Sequence, residues 1–254
     1  MFQLYPIDDL PPLTSRDLDS ILCVLEDCER AHSVTDLRKA ALEGMARYLG
    51  YSNTTFRMGD TLDACFLDRT AVLNGDVTRM LPAYLEKWQP HDPFAQPAVV
   101  HLLGQYDVAS LDWLPCPRRE SVRDYLDKFL FANRVHAKVV IRLRSSQTNA
   151  MIGLLAPESG TFGPRDLAIG RLVSRHLGGL TDLHLKRRTI IPAGLTPRQA
   201  EVVDLVAQGL TNVEIAERLY VGIDTVKKHL TQALSVTGCR NRTALALFWL
   251  SGRR

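Results

Sequence analysis

Two helix-start signals, fifteen residues apart, constrain the last sixty residues of this chain more than anything else in it. In Thr196-Pro197-Arg198-Gln199 a hydroxyl stands at the N-cap and a proline at the first helical position, where its missing N–H costs nothing. Gln199 stands three residues past the cap, within reach of the cap's own N–H. Thr211-Asn212-Val213-Glu214 repeats the arrangement. The first signal opens a helix through Val202, Val203, Leu205 and Val206 that stops at Gly209; the second opens a short one with Ile215, Ala216 and Leu219 on its inner side. After the turn Tyr220-Val221-Gly222-Ile223 comes a third helix, Asp224 to Val236, with Val226, Leu230, Ala233 and Leu234 on one face. Its opposite face carries Thr225, Lys227, Lys228, Thr231 and Gln232. Asn241-Arg242-Thr243 caps a fourth helix, Ala244 to Leu250. A short helix, a tight turn with glycine and a second helix make a helix-turn-helix.

Charge separates this unit from an ordinary helical bundle. Residues 190–254 hold eight Lys/Arg and five Asp/Glu, while residues 1–189 hold 23 of each sign, so the whole net charge of +3 lies in the C-terminal part. From Asp224 onward six cations, Arg242 among them, face one anion. A localised cationic face suits a phosphate backbone, because binding releases its condensed counterions.

The stretch LTPRQAEVVDLVAQGLTNVEIAERLYVGIDTVKKHL, followed by GCRNRTALAL, resembles the DNA-binding domain of the LuxR family of transcriptional regulators. The resemblance implies that the third helix enters the major groove of double-stranded DNA and that Lys227, Lys228 and Thr231 face the bases. Thr225, Gln232 and Arg242 complete the expected DNA-binding set. Departures from the family pattern are Gln199 for glutamate, Gly222 for serine and Val236-Thr237 for lysine-leucine. Gly222 forfeits a side-chain cap, a matter of a few tenths of a kcal/mol at about that order.

Residues 1–189 alternate helical and strand patterns. Ser15 is expected to cap a helix with Leu18, Ile21, Leu22, Leu25 and Cys28 inward, and Thr35 to cap a second helix ending at Gly50. Asn53–Met58 and Cys65–Val72 read as strands, the latter followed by the turn pair Asn74-Gly75. Val77–Trp88 and Arg118–Asn133 read as helices. His136–Arg144 and Ala150–Ala156 read as a hairpin, and a long helix runs from Pro164 to about Leu185. The expected fold is an α+β N-terminal sensor domain, an antiparallel sheet flanked by helices in the manner of PAS and GAF folds. An all-α four-helix helix-turn-helix domain follows it. The expected boundaries are 1–185 for ligand sensing and dimerisation, 186–194 for a linker and 195–254 for DNA binding.

The segment Tyr84-Leu85-Glu86-Lys87-Trp88-Gln89-Pro90-His91-Asp92-Pro93 resembles the Tyr-x-x-x-x-Tyr-x-x-x-Asp-Pro segment of autoinducer-binding domains, with one residue fewer. The resemblance implies that Tyr84 and Asp92 hydrogen-bond a small-molecule effector of the acyl-homoserine lactone kind and that Trp88 walls its pocket. Read from the residues alone, Tyr84 and Trp88 equally suit a filled core.

Other chemistries find no support. There is no phosphate loop, no G-x-S-x-G nucleophile turn and no HExxH pairing among seven histidines, so no catalytic residue, metal or cofactor is expected. No apolar run approaches the ~20 residues of a membrane span. The beginning, MFQLYPIDDL, lacks a signal-peptide pattern, and the five cysteines show no CxxC pair, which together lead to the expectation of reduced thiols in a cytoplasmic protein. Because one helix-turn-helix reads few base pairs, a homodimer is expected on two half-sites. Ile169, Leu172, Val173, His176, Leu180 and Leu183 of the long helix are the candidate contact stripe, with Gly178-Gly179 allowing close approach; the same stripe equally suits packing on the sheet.

Overall fold

The computed structural model describes residues 10–114, 119–189 and 194–251, and the chain divides into two compact units at Leu185/Lys186. Residues 190–193 of the expected linker, Arg118 at an expected helix start, Cys116 and Arg253-Arg254 lie outside the described residues.

In the first unit α1 (Ser15–Glu29) starts one residue earlier than expected: Thr14 is the N-cap and forms a capping box with Asp17. The buried face is Asp17, Ile21, Val24 and Cys28, whereas Leu18 and Leu22 are exposed. Asp17 pairs with Arg165 on the same face as Ile21, Val24 and Cys28, so the buried stripe runs beside the one the leucines predict. α2 (Val34–Leu49) is capped by Ser33, not Thr35, and ends at Gly50 with φ 80°, the left-handed conformation that glycine adopts without strain. β1 (Asn53–Gly59) follows as expected.

The strand expected over Cys65–Val72 does not form. Thr61 caps a short helix, α3 (Leu62–Cys65), and the next loop is gathered around one carboxylate. Asp68 accepts from the Thr70 amide and hydroxyl, from the Met58 amide and from Arg38. Only β2 (Val72–Asn74) reaches β1. The helix expected over Val77–Trp88 is irregular, passing from a 3-10 turn (Asp76–Met80) through α4 (Leu81–Ala83) to a π turn (Tyr84–Trp88). α5 (Pro97–Tyr106) and β3 (Val108–Ser110) have no counterpart among the sequence expectations. α6 (Glu120–Tyr125) likewise gives way to a π turn, Leu126–Leu130. β4 (Ala137–Leu143) and β5 (Asn149–Ala156) form the expected hairpin, with Leu143 opposite Ala150. α7 (Pro164–Thr189) runs four residues beyond the expected end.

The five strands form one antiparallel sheet in the order β2-β1-β5-β4-β3. Alternation assigns the two faces. Phe56, Val139, Ile141, Ile152 and Leu154 meet α1, α2 and α7 in the main core. Thr55, Arg57, Lys138, Val140, Met151 and Gly153 point the other way, under the irregular helical runs. Of the expected stripe on α7, Ile169 and Val173 lie in the core, Leu172 and Leu180 pack against it, and only His176 and Leu183 are exposed. Gly178 meets the Arg144 backbone, where a Cβ would come within 2.4 Å of the carbonyl oxygen; Gly179 faces open space. The close approach is therefore to the protein's own β4–β5 loop.

The second unit is helical: α8 (Pro197–Ala207), α9 (Asn212–Leu219), α10 (Ile223–Thr237) and α11 (Arg242–Ser251). Both capping boxes form, at Thr196/Gln199 and Thr211/Glu214, and Asn241 accepts from the Ala244 amide. Val202, Val203, Ile215, Val226, Ala233 and Leu245 make the core. Among the described residues no helix is long and apolar enough to cross a membrane.

Candidate functional site: a DNA-binding face and a buried cavity

The helix-turn-helix presents the polar face of α10 outward. Val226, Leu230 and Ala233 are buried against the other helices, and this leaves Thr225, Lys227, Lys228, Thr231 and Gln232 exposed. Lys227 Nζ donates to Asp224 Oδ1 at 3.1 Å, a solvent-exposed pair worth little. The Thr231 hydroxyl donates to the Lys227 carbonyl. Gln199 has a role its place in the capping box does not announce. Its Oε1 accepts from the Thr196 amide at 2.9 Å, while its Nε2 donates to Gln232 Oε1 at 3.0 Å. A glutamate here could not donate, so the amide both closes the capping box and braces Gln232, leaving the Gln232 Nε2 as its outward donor.

Arg242 is engaged inward. Its guanidinium donates to Asn212 Oδ1 at 2.9 Å and to the Leu210 carbonyl, tying the start of α11 to the start of α9. Gly222 caps α10 without a side-chain hydrogen bond, in extended conformation. Tyr220, at φ 53°, makes the left-handed turn between α9 and α10, and its side chain is exposed.

In the first unit, a partly open cavity of about 50 Å³ lies between the far face of the sheet and the irregular helices. The floor is Thr55, Arg57, Lys138, Val140 and Gly153; the walls include Tyr84, Asp92, Tyr125 and Phe129. Gly153 keeps the floor open, because a Cβ there would lie 2.7 Å from Thr55 Oγ1. Both π turns abut the cavity, one presenting Tyr84 and the other Phe129 and Leu130. Such turns recur at functional sites because they re-aim side chains that a regular helix would turn away.

The polar centre is Asp92, 1% exposed. Its Oδ2 accepts from the Tyr84 hydroxyl at 3.0 Å and from Lys138 Nζ at 2.8 Å, and its Oδ1 accepts from the Phe94 amide at 3.0 Å. Lys138 also lies over the Phe94 ring and 3.4 Å from the Tyr125 hydroxyl. Burial pulls the Lys138 ammonium below the usual lysine range, with the Asp92 carboxylate opposing. Burial pushes the Tyr84 and Tyr125 hydroxyls well above the ordinary phenol range, with Asp92 adding to both, so they remain donors. Arg57, 8% exposed, stacks over the Tyr84 ring at 4.5 Å and donates to the Phe66 carbonyl.

The cavity thus brings Tyr84 and Asp92 together, while Trp88 stands outside it. Trp88 stacks on Phe129 at 5.7 Å and meets Tyr125 edge-on, supporting the wall from behind. Sequence reasoning missed Arg57, Tyr125, Phe129 and Lys138, which reach the cavity from β1, α6, the π turn after it and β4. Among the described residues no group of three or more His, Cys, Asp or Glu could hold a metal. Burial pushes the Cys28 and Cys65 thiols up to about 12, which leaves them unreactive.

Residues 193–249 match the family model described as "Bacterial regulatory proteins, luxR family". The chain is 31% identical over 166 residues to the monoamine regulon transcriptional regulator of Klebsiella aerogenes, covering 64% of this chain and 69% of that protein. It is 44% identical over 54 residues to the transcriptional regulatory protein LiaR of Bacillus subtilis, a match spanning 26% of that protein and confined to 21% of this chain. A crystal structure of Escherichia coli SdiA aligns over 93% of this chain and 97% of that one, at 15% identity and a TM-score of 0.48. The helix-turn-helix geometry, the family match over it and the long relative agree: the chain belongs to the LuxR family and is a DNA-binding transcriptional regulator.

Proposed function

We propose that this regulator is controlled by a small molecule held in the cavity beneath Tyr84, and that it binds DNA as a homodimer. The observation that carries the first half is the cavity itself, with a buried, hydrogen-bonded aspartate at its centre. A unit serving only to hold its neighbour needs no such feature, since buried charges weaken a fold more often than they strengthen it. The binding residues are Tyr84 and Asp92, joined by Lys138, with Trp88 as support. A diffusible signal of the quorum-sensing kind is one such effector, though an acyl-homoserine lactone would need the cavity to grow. At roughly 10–15 Å³ per water, the present volume holds only a few waters.

On the DNA side, Lys227, Lys228 and Thr231 read base edges and Thr225 and Gln232 flank them. Arg242, half-buried, ties the start of α11 to the start of α9 and sets that edge of the DNA-binding face. Two copies on two half-sites supply the specificity that one recognition helix lacks. The second reading, an N-terminal unit that binds a protein partner, draws on the exposed leucines Leu18, Leu22 and Leu183. A third reading is an enzyme fused to a DNA-binding tail; among the described residues no serine or cysteine nucleophile lines the cavity.

Native mass spectrometry of the protein purified from its own host tests the effector reading. The expected result is a mass excess that disappears on denaturation and is absent from the Asp92→Asn variant. A chain of bare mass that co-purifies with a protein instead would favour the second reading.

A further inference from the structure

The charges lining the cavity do not balance, and the imbalance names a ligand class. Three ionisable groups that bear charge at neutral pH line it: Arg57, Lys138 and Asp92. Lys138 and Asp92 close on each other at 2.8 Å. Arg57 is left over. Among the described residues no carboxylate forms an ion pair with it; it donates to the Phe66 carbonyl and lies over the Tyr84 ring. The aspartate nearest in kind, Asp68, is taken by Arg38 at 2.8 Å and by two backbone amides. A guanidinium does not lose its proton in a protein. The lining therefore carries one net positive charge whether the Lys138–Asp92 pair is ionic or has shared its proton away.

A buried cation without a counter-charge destabilises the fold that holds it. An anion entering the cavity would relieve that, and the planar fork of an arginine fits a carboxylate through two parallel hydrogen bonds. Asp92 would not repel it strongly, since both its oxygens are already occupied by Lys138, Tyr84 and the Phe94 amide. An uncharged ligand would leave Arg57 as it stands, and a cationic one would add to the imbalance. The volume of about 50 Å³ suits a carboxylate and the carbon bearing it. Beyond it lie the rings of Tyr84, Tyr125 and Phe129 and the flexible side chains of Met80 and Leu81, which can make way for a short aryl or alkyl tail.

We propose that the effector is a small organic carboxylate with an aryl or short alkyl tail, and that Arg57 is the residue that binds its carboxylate. The proposal rests on the reading of this cavity as the effector site and goes further by fixing the ligand's charge.

The test uses the full chain and two matched series: phenylacetate, phenylacetamide and phenethylamine, and octanoate, octanamide and octylamine. Binding is read by isothermal titration calorimetry and by the shift in melting temperature. In at least one series the carboxylate should bind at least about tenfold tighter than its amide and its amine, and Arg57→Gln should abolish that preference. If Arg57→Gln does not fold, the wild-type series decides alone. Binding in which neither series puts its carboxylate ahead of its amide and amine overturns the carboxylate proposal and leaves the effector cavity standing. A carboxylate preference that survives in folded Arg57→Gln overturns the role of Arg57. If none of the six binds while the protein from its host retains a small molecule, the ligand class is wrong; if none binds and none is retained, the effector reading falls with it.

Discussion

Removing one charge of the Lys138–Asp92 pair should destabilise the first unit far more than removing both. The two atoms are 2.8 Å apart, and the side chains are 9% and 1% exposed. At an effective dielectric constant of about 20 the attraction is roughly 6 kcal/mol, part of which only offsets the desolvation of two ions. In Lys138→Met the Asp92 carboxylate keeps the Tyr84 hydroxyl and the Phe94 amide but loses its ion pair, so the variant should lose about 3–5 kcal/mol, less if Arg57 swings over to replace the lysine. Asp92→Asn strands the ammonium among the Phe94 and Tyr125 rings and should lose a similar amount. The double variant removes both charges and keeps the volume, so its loss should be well below the sum, with a coupling of about 2–3 kcal/mol. Against a total of about 5–15 kcal/mol, each single change is large. Urea unfolding followed by Trp88 fluorescence in a Trp249→Phe background reads the first unit, because that indole stacks on the cavity wall and Trp249 belongs to the second unit's core. Single variants losing under about 1 kcal/mol, or losses that simply add, would show that water reaches both charges and that the cavity is not closed.

Further outcomes follow from the same geometry. Lys227→Ala should weaken specific DNA binding by about 1–3 kcal/mol without changing the circular dichroism, because the side chain is exposed. Val226→Lys should instead unfold the second unit, since Val226 is 0% exposed and the new charge has no partner; wild-type affinity in Lys227→Ala would remove that lysine from the base-reading set. The Asp17 carboxyl is held down at about 2 from 3.8, first by the Arg165 hydrogen bond and then by Thr14. A depressed folded value means stability that is present above the unfolded value and lost as pH falls through the folded one. The melting-temperature gap between wild type and Arg165→Ala should therefore be open above about pH 4 and close towards about pH 2; a constant gap would contradict the assignment. Leu22→Glu and Leu183→Glu, both on exposed positions, should shift sedimentation velocity towards monomer if α1 and α7 carry the contact. A dimer that survives both would place it elsewhere.

What the sequence discloses depends on how local the deciding interactions are. The second unit is written in short-range signals: Thr196 with Gln199, Thr211 with Glu214, Asn241 with the Ala244 amide, glycines after α8 and α10. Each is decided within four residues, and each forms. The hairpin β4–β5 is similarly local. The stretch from Cys65 to Val72 alternates well enough for a strand, yet Asp68 binds Arg38, thirty residues away, and the loop folds around that contact. The two π turns have no signature of their own; packing on the sheet sets them. The cavity shows the same division. Tyr84 and Asp92 are eight residues apart and were legible together. Lys138 reads as the solvent-facing partner of Ala137 and Val139 until one notices that Val140, Met151 and Leu155 share its face, which makes that face apolar and the lysine a buried one. Arg57 on β1 carries the same signal. Gln199 was noted as a departure from the family pattern, but its bond to Gln232 spans thirty-three residues and only the structure supplies it.

The central claim is that occupancy of the cavity sets the affinity of the helix-turn-helix for DNA. The direct measurement takes DNA selected by the purified full chain from its host's genome and titrates it by fluorescence anisotropy. Wild type and Tyr84→Phe, which keeps the Lys138–Asp92 pair, are each compared stripped of the co-purified small molecule and resupplied with it. Resupply should change the wild-type dissociation constant by about fivefold or more, and Tyr84→Phe should bind the stripped-state DNA normally but respond weakly. A wild-type affinity that is the same with and without the small molecule would contradict it.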